Sequence, residues 1–411
     1  MNRRTFIGAM AAAARVAAAQ PSADFKNLRP MTDGVKPITD EERRARMEKA
    51  RRLMHENSIG AVVIEPGSSL YYFTGTRPSG RIVFVLPQKG KPAWFAPKAE
   101  EARAQSLLPK YADLRLSAAD AGLYRAIAEF LTDRRGRQAL NSASVAMEER
   151  TSFSTFDGLR TAVPGTRFVS ADAVTVGCRV IKSPAEIALM QHANNVTIAC
   201  YQAVFATLRE GMTSSELSAN VAAAYRALGY RGDALVIFGK YTAFPHGSVQ
   251  PQQLREGDVV LVDDGCTVEG YQSDITRTTV FGKPSPRQRE IWNLERKAQD
   301  AALAAARVGS TCESVDAAAR KVITDAGFGP GYKVPGLPHR TGHGIGLDGH
   351  EWTYLVRGNQ TKLAPGMCFS NEPTIAIYGE FGIRLEDCMY ITENGARMFT
   401  RQSPAIDQPF G

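Results

Sequence analysis

The sequence predicts an α/β N-terminal domain followed by a larger α+β domain that contains an internal pseudo-twofold repeat. Three observations predict it. The 411 residues are 44% hydrophobic and 22% charged, enough for two domains with separate cores. Up to about residue 175, short apolar runs alternate with helical periodicity. Beyond residue 183 one helical pattern occurs twice, 98 residues apart.

Residues 1–19 carry the pattern of a signal segment. Arg3-Arg4-Thr5-Phe6-Ile7 is a twin-arginine motif, the weakly apolar stretch Ile7–Ala14 follows, and Ala17-Ala18-Ala19 offers a cleavage site before Gln20. The stretch is far shorter than the ~20 residues of a membrane span. The expectation is an exported, periplasmic or secreted protein with no stable membrane insertion. Residues 20–40 are polar and proline-bearing and read as a linker. Helical periodicity runs from Glu41 through Met54. Ala61-Val62-Val63-Ile64 and Ile82-Val83-Phe84-Val85-Leu86 read as buried strands, each closed by a proline turn. The domain so defined, 41–175, holds no cluster of chemically active residues.

The second domain, 183–405, opens at Ser183-Pro184, a cap and a first-turn proline for a helix Ala185–Leu208. Gly211-Met212-Thr213 and Gly309-Ser310-Thr311 then each place a threonine to cap a helix, which closes at Gly229 and Gly327. Leu217, Val221 and Tyr225 match Val315, Ala319 and Ile323 at helical spacing. A duplicated unit implies a site where the halves meet.

The chemistry-bearing residues lie in this domain. Val259–Gly265 and Gly270–Thr278 read as a hairpin, with Asp263 ending its first strand and Asp274 inside its second. Carboxylates in such apolar surroundings are costly unless paired or metal-bound. Pro338–Gly346 and the following His350-Glu351 put His339, His343 and His350 in a glycine-rich stretch, whose glycines would let the backbone approach a bound group. Glu372 follows in Ser370-Asn371-Glu372-Pro373, and Glu386 sits in the strand-like Ile383–Asp387. Four carboxylates and one imidazole suit two hard or borderline divalent ions about 3.5–4 Å apart, manganese first, with cobalt or zinc as alternatives. Such ions would acidify a bridging water and clamp a tetrahedral intermediate. No H-E-x-x-H occurs, which excludes a helical zincin site.

These segments resemble the pita-bread metallopeptidases: methionine aminopeptidase, aminopeptidase P and prolidase, with creatinase as a metal-free relative. The resemblance covers both domains, a creatinase-type N-terminal domain and a pita-bread catalytic domain. It implies metal ligands at Asp263, Asp274, His343, Glu372 and Glu386, with Glu372 also accepting a proton from the attacking water. It implies substrate contacts from His246, His339 and His350, and a role for Arg384, two residues before the last ligand. It implies hydrolysis of peptide bonds, Xaa-Pro foremost, by a prolidase-like dipeptidase or an aminopeptidase P, and a homodimer. Thr374 and Asp264 depart from the family pattern, standing where glycine and an apolar residue are usual.

The alternatives fare less well. Methionine aminopeptidases usually lack the N-terminal domain, and creatinases have lost the ligands retained here. A non-catalytic binding protein would tolerate loss of those carboxylates, and a hydrolase of another amide is the remaining variant. The net charge of +8 comes without any block of about five or six like charges, so it reads as a solvated surface and not as a nucleic-acid site. Six cysteines without a C-x-x-C pair exclude a disulfide framework or zinc ribbon; Cys266 and Cys388, near ligands, read as core residues.

Overall fold

A computed structural model describes residues 20–108, 111–118, 120–132 and 144–411. The twin-arginine segment 1–19 lies outside the described residues. The first element, α1 (Asp40–Glu56), is capped by Thr39, whose hydroxyl accepts the Glu42 amide, and it buries Met47, Ala50 and Met54. Behind it a six-stranded sheet comprises β1 (Ile59–Ile64), β2 (Val83–Pro87), β3 (Ala93–Pro97), β4 (Asp113–Ser117), β5 (Ser144–Met147) and β6 (Phe168–Ser170). Its order is β4-β3-β2-β1-β5-β6, with β1 antiparallel to β2 and parallel to β5. Both faces of β1 are buried, as an unbroken apolar run requires. Helices α2 (Ser68–Thr74), α3 (Glu101–Leu107), α4 (Asp120–Thr132), α5 (Phe153–Ala162) and α6 (Asp172–Arg179) complete this domain.

Ser183 and Glu186 form a reciprocal capping box that starts the 22-residue α7 (Pro184–Phe205). The repeat is real in three dimensions. Thr213 caps α8 (Ser214–Ala227) and Thr311 caps α10 (Cys312–Asp325), on either side of α9 (Pro286–Ala305). The matched apolar residues are all buried. The Gly211 amide donates to Leu254 O at 2.8 Å, and the Gly309 amide to Leu363 O at 2.9 Å. Between those anchors the second half is longer by eleven residues. The offset becomes 109 from Leu254 to Leu363, and 109 again from Asp263 to Glu372. Two of the carboxylates are therefore repeat equivalents, which the 98-residue helical offset alone conceals.

The strands of the second half are β7 (Arg231–Gly232), β8 (Leu235–Phe238), β9 (Val259–Asp263), β10 (Cys266–Val268), β11 (Tyr271–Gln272) and β12 (Arg277–Val280). After them come β13 (Gly342–Gly344), β14 (Glu351–Leu355), β15 (Cys368–Asn371), β16 (Thr374–Ile377), β17 (Phe381–Arg384), β18 (Asp387–Thr392) and β19 (Gly395–Met398). Sheets β12-β9-β8 and β14-β13-β15-β18-β19 supply the walls of the site. One apolar cluster runs from Ile64 and Phe73 through Tyr201 and Tyr225 to Val262, so the two domains share a core. All six cysteines are buried and unbridged.

Two expectations need correction. Residues 20–39 are irregular but not a free linker. Phe25 and Ile38 join the core, the Met31 amide donates to Leu228 O at 2.9 Å, and Ser22 binds the Asn220 side chain at 2.8 Å. The segment is a strap over α8. The Asp263–Asp274 stretch is not a simple hairpin either. Strand β9 pairs with β12, while β10 and β11 form their own hairpin in another sheet, and Asp274 lies just before β12.

Glu295 of α9 is wholly buried, and among the described residues neither carboxyl oxygen has a hydrogen-bond partner beyond a weak contact with the Leu385 backbone. Burial holds its carboxyl well above the ordinary range. The folded chain therefore keeps a proton that the unfolded chain releases near pH ~4.5. Stability from this group is complete below that pH and is lost as pH rises toward the folded value. Glu295→Gln, neutral at every pH, is expected to raise the melting temperature at pH 8 by a few degrees. It should also narrow the difference between pH 5 and pH 8. A lower melting temperature at pH 8, read by scanning calorimetry, would contradict this.

Candidate metal centre

All four candidate carboxylates stand where a strand ends or breaks. Asp263 closes β9, Asp274 precedes β12, Glu372 lies between β15 and β16, and Glu386 between β17 and β18. At such points the backbone turns out of the ladder and the side chain can point along the sheet into the space between the halves. Glu386 is thus not a residue of one continuous strand Ile383–Asp387, as its alternating pattern implied. The β16–β17 pairing stops at Arg384, and the β15–β18 pairing starts at Asp387.

His343 is buried in the middle of β13. Its flanking glycines serve packing against neighbouring strands. A β-carbon on Gly342 would collide with the Ser370 carbonyl, and one on Gly344 would lie 2.7 Å from Glu351 O. The His343 amide donates to Ser370 Oγ at 2.9 Å, and its Nδ1 lies 3.1 Å from Gly344 O. A carbonyl accepts only from N–H, so Nδ1 carries a proton and Nε2 is the nitrogen turned to the carboxylates, able to hold a proton there or to offer its lone pair to a metal. That Nε2 lies 3.1 Å from Glu372 Oε1 and 3.6 Å from Asp274 Oδ2. One ligand atom each from Asp274, His343 and Glu386 falls within 4.8 Å of the others.

Asp263 joins through shared partners. Thr276 Oγ1 lies 2.6 Å from Asp263 Oδ1 and 2.7 Å from Glu386 Oε2, and it accepts Arg384 Nε at 3.0 Å. Arg384 also donates to Asp263 Oδ2 and, at 3.2 Å, to Pro245 O. The sequence did not single out Thr276. Its signal was a hydroxyl two residues beyond Asp274, at the point where β12 begins.

The electrostatics call for a cation. Burial, then repulsion from Asp263 and Glu372, pushes Asp274 well above the carboxylate range; burial and Asp274 do the same to Glu386. Glu372 goes the other way. Burial would raise it, but a protonated His343 donating to it in the metal-free site, with His339 and Arg384 close by, outweighs that. Among the described residues, Glu386 Oε1 is buried without a partner. A lone pair on His343 facing carboxylate oxygens is repulsive unless a proton or metal ion lies between them. This oxygen-rich set with one imidazole therefore fits divalent metal.

The remaining predicted residues divide. The His350 ring lies 3.9 Å from that of His343, centroid to centroid, and its Nδ1 accepts Arg340 Nη2 at 2.8 Å, which leaves Nε2–H as a free donor. Burial, His343 and Arg340 bring its pKa down to about 4, so it is neutral at pH 7. His339 Nδ1 donates to Arg340 O at 2.7 Å, and Nε2 accepts the Thr374 hydroxyl at 3.0 Å. Thr374 thus holds one tautomer of His339, a contact that glycine could not make. Asp264 has φ 107° and accepts the Leu235 amide at 3.1 Å; with Asp274 and His350 it borders a cavity of about 410 Å³. His246 is exposed on a loop, next to the Pro245 carbonyl that binds Arg384.

The family model for metallopeptidase family M24 matches residues 188–393, and that for the creatinase/prolidase N-terminal domain matches 46–181. The chain belongs to metallopeptidase family M24. This M24 chain is 31% identical to the Xaa-Pro dipeptidase of Pyrococcus furiosus over 87% of its own length and 97% of the relative's. It is 36% identical to the probable dipeptidase PepE of Mycobacterium tuberculosis, over 85% and 92%. Among solved structures it is similar to dipeptidase PepE from Mycobacterium ulcerans, with TM-score 0.79, 33% identity and coverage of 89% and 97%. It is also similar to the prolidase from Pyrococcus horikoshii, with TM-score 0.76, 27% identity and coverage of 87% and 98%. The M24 chain is accordingly a metallopeptidase with a pita-bread catalytic domain.

Proposed function

We propose that this metallopeptidase hydrolyses Xaa-Pro dipeptides with two divalent ions held by Asp263, Asp274, His343, Glu372 and Glu386. The observation that carries the reading is the convergence of Asp274, His343 and Glu386 within 4.8 Å, with a buried Glu386 oxygen unpartnered. Manganese is the proposed metal, since four of the five ligand residues are oxygen donors. When bound, the ions supply Lewis acidity and acidify a water toward neutral pH.

The chain's own residues orient and move protons. Glu372, held ionised, takes the proton of the attacking water and returns it to the leaving nitrogen. His350, neutral with Nε2–H free, donates to the substrate carbonyl oxygen. His339 and the rim residue His246 complete the substrate's surroundings. Arg384 fixes Asp263 and, through Pro245, the loop that bears His246. The names of the relatives support the dipeptide preference, and family resemblance supports a homodimer. The Arg3-Arg4 segment supports export to the periplasm or medium. Among the described residues no helix is long and apolar enough to cross a membrane.

The test is hydrolysis of Ala-Pro, Ala-Pro-Ala and Ala-Ala by metal-stripped protein reloaded with Mn²⁺. Metal-dependent cleavage of Ala-Pro in preference to the others is expected. Preference for the tripeptide would move the assignment to aminopeptidase P. No turnover of any of them with metal bound would remove the proline-peptide reading.

A further inference from the structure

The turn that carries His350 is held from outside its own sheet. At the end of α6, Arg179 Nη2 donates to Asp348 Oδ2 at 2.6 Å and also to Glu351 Oε1, so it grips the turn on both sides of His350. Lys182 Nζ reaches Glu351 Oε2 at 2.8 Å. From the N-terminal domain, Ser68 of α2 donates to Asp348 Oδ1 at 2.6 Å. Its neighbour Ser69 accepts Arg179 Nη1 at 3.2 Å and donates to Glu148, just beyond β5. Within the turn, Glu351 Oε1 also gathers the Leu347 amide at 2.9 Å.

Beside this turn lies a cavity of about 410 Å³ between the domains. His350 and Trp352 border it from one side; Arg77, Glu148 and Arg150 border it from the other. Close packing therefore does not confine the turn on that side. Directional, charge-assisted hydrogen bonds do, and they are strong because they are largely desolvated. Burial alone would raise Glu351, but Lys182 and Arg179 outweigh it and bring the carboxyl down to about 2, so the grip persists across working pH.

We propose that Arg179 is a positioning residue that acts through Asp348 and Glu351, latching the turn so that His350 stays against the His343 ring. The N-terminal domain, by way of Ser68 and Ser69, is then part of the active-site frame. The inference rests on His350 acting on substrate, as proposed above.

Two readouts test it, one of them independent of activity. Of the three tryptophans, Trp94 and Trp292 are buried while Trp352, two residues beyond His350, is 47% exposed. Acrylamide quenching of tryptophan fluorescence therefore reports chiefly on this turn. Arg179→Ala is expected to increase quenching and to lower kcat about 10–100-fold, with bound metal unchanged. Arg179→Lys should restore part of both. In a His350→Ala background, Arg179→Ala should cost less than about threefold further, because both changes disable the same group. Ser68→Ala, which removes one bond to the turn, should give a smaller change of the same sign.

Multiplying effects of Arg179→Ala and His350→Ala would overturn the proposal. So would unchanged quenching with unchanged kcat. If Arg179→Ala loses fold and metal together, Ser68→Ala decides, and wild-type behaviour in that variant overturns the latch. If the wild-type protein cleaves no peptide, the substrate assignment falls, and quenching in Arg179→Ala alone supports or overturns the latch.

Discussion

Asp274→Ala is expected to reduce Ala-Pro turnover on the order of 10³-fold, because several kcal/mol of transition-state stabilisation go with the metal, at about 1.36 kcal/mol per tenfold. Asp274 lies against His343 at 3.6 Å and is one of three residues whose ligand atoms converge within 4.8 Å. The substitution also predicts a dissociation between activity and stability. Without metal, half-buried Asp274 and buried Glu386 repel each other, each raised above its ordinary range. Removing one of them relieves that repulsion, so the metal-free variant should melt no lower than metal-free wild type. Added Mn²⁺ should raise the wild-type melting temperature through binding linkage and leave the variant's unchanged. Metal analysis, a thermal scan and an Ala-Pro assay check the three parts. Retention of both metal and turnover would remove Asp274 from the ligand set.

Arg277→Ala is expected to be the most destabilising single change near the site, by about 3–5 kcal/mol. Arg277 and Asp387 are each 1% exposed and 2.7 Å apart. Arg277 also donates to Glu386 O at 3.0 Å and Arg401 O at 3.0 Å, tying β12 to the break before β18 and to the C-terminal segment. Truncation leaves a buried carboxylate with, among the described residues, the side chains Thr400 Oγ1 and Gln299 Nε2 as its donors, at 2.6 and 3.2 Å. For a domain of this size the loss corresponds to roughly 10 °C in melting temperature. Arg277→Met with Asp387→Leu removes both charges and should recover much of it, because a buried pair replaced by apolar groups is often neutral. A single variant within about 1 °C of wild type, or a double variant worse than the single, would show that the pair does not act this way.

The signals that succeeded were those that burial imposes locally. An acid at the end of Val259–Val262, or in the run before Asp387, is costly in an apolar strand unless something binds it. That cost is visible without coordinates. Threonine caps at Thr213 and Thr311 are likewise local chemistry, and both helices begin where the caps place them. The strap at residues 20–39 escaped because its polar composition says nothing of Phe25 and Ile38, two anchors too few for periodicity to register. The breaks before Asp274 and Glu386 escaped because an alternating pattern reads the same whether or not the partner strand continues.

The sequence by itself determined the two-domain α/β and α+β organisation and the duplicated helices, and it singled out Asp274, His343 and Glu386, whose ligand atoms the fold brings within 4.8 Å. Each of these follows from spacing, capping or the cost of a buried charge within a few residues. Only the tertiary structure decided the rest. Thr276 lies between Asp263 and Glu386, 110 residues apart from the latter in the chain, and Arg179 grips Glu351 across 172 residues. It also decided which nitrogen of His343 faces the carboxylates and which nitrogen of His350 accepts from Arg340. Hydrogen-bond partners brought together by folding carry no local periodicity, and so they leave no mark in the order of residues that spacing could reveal.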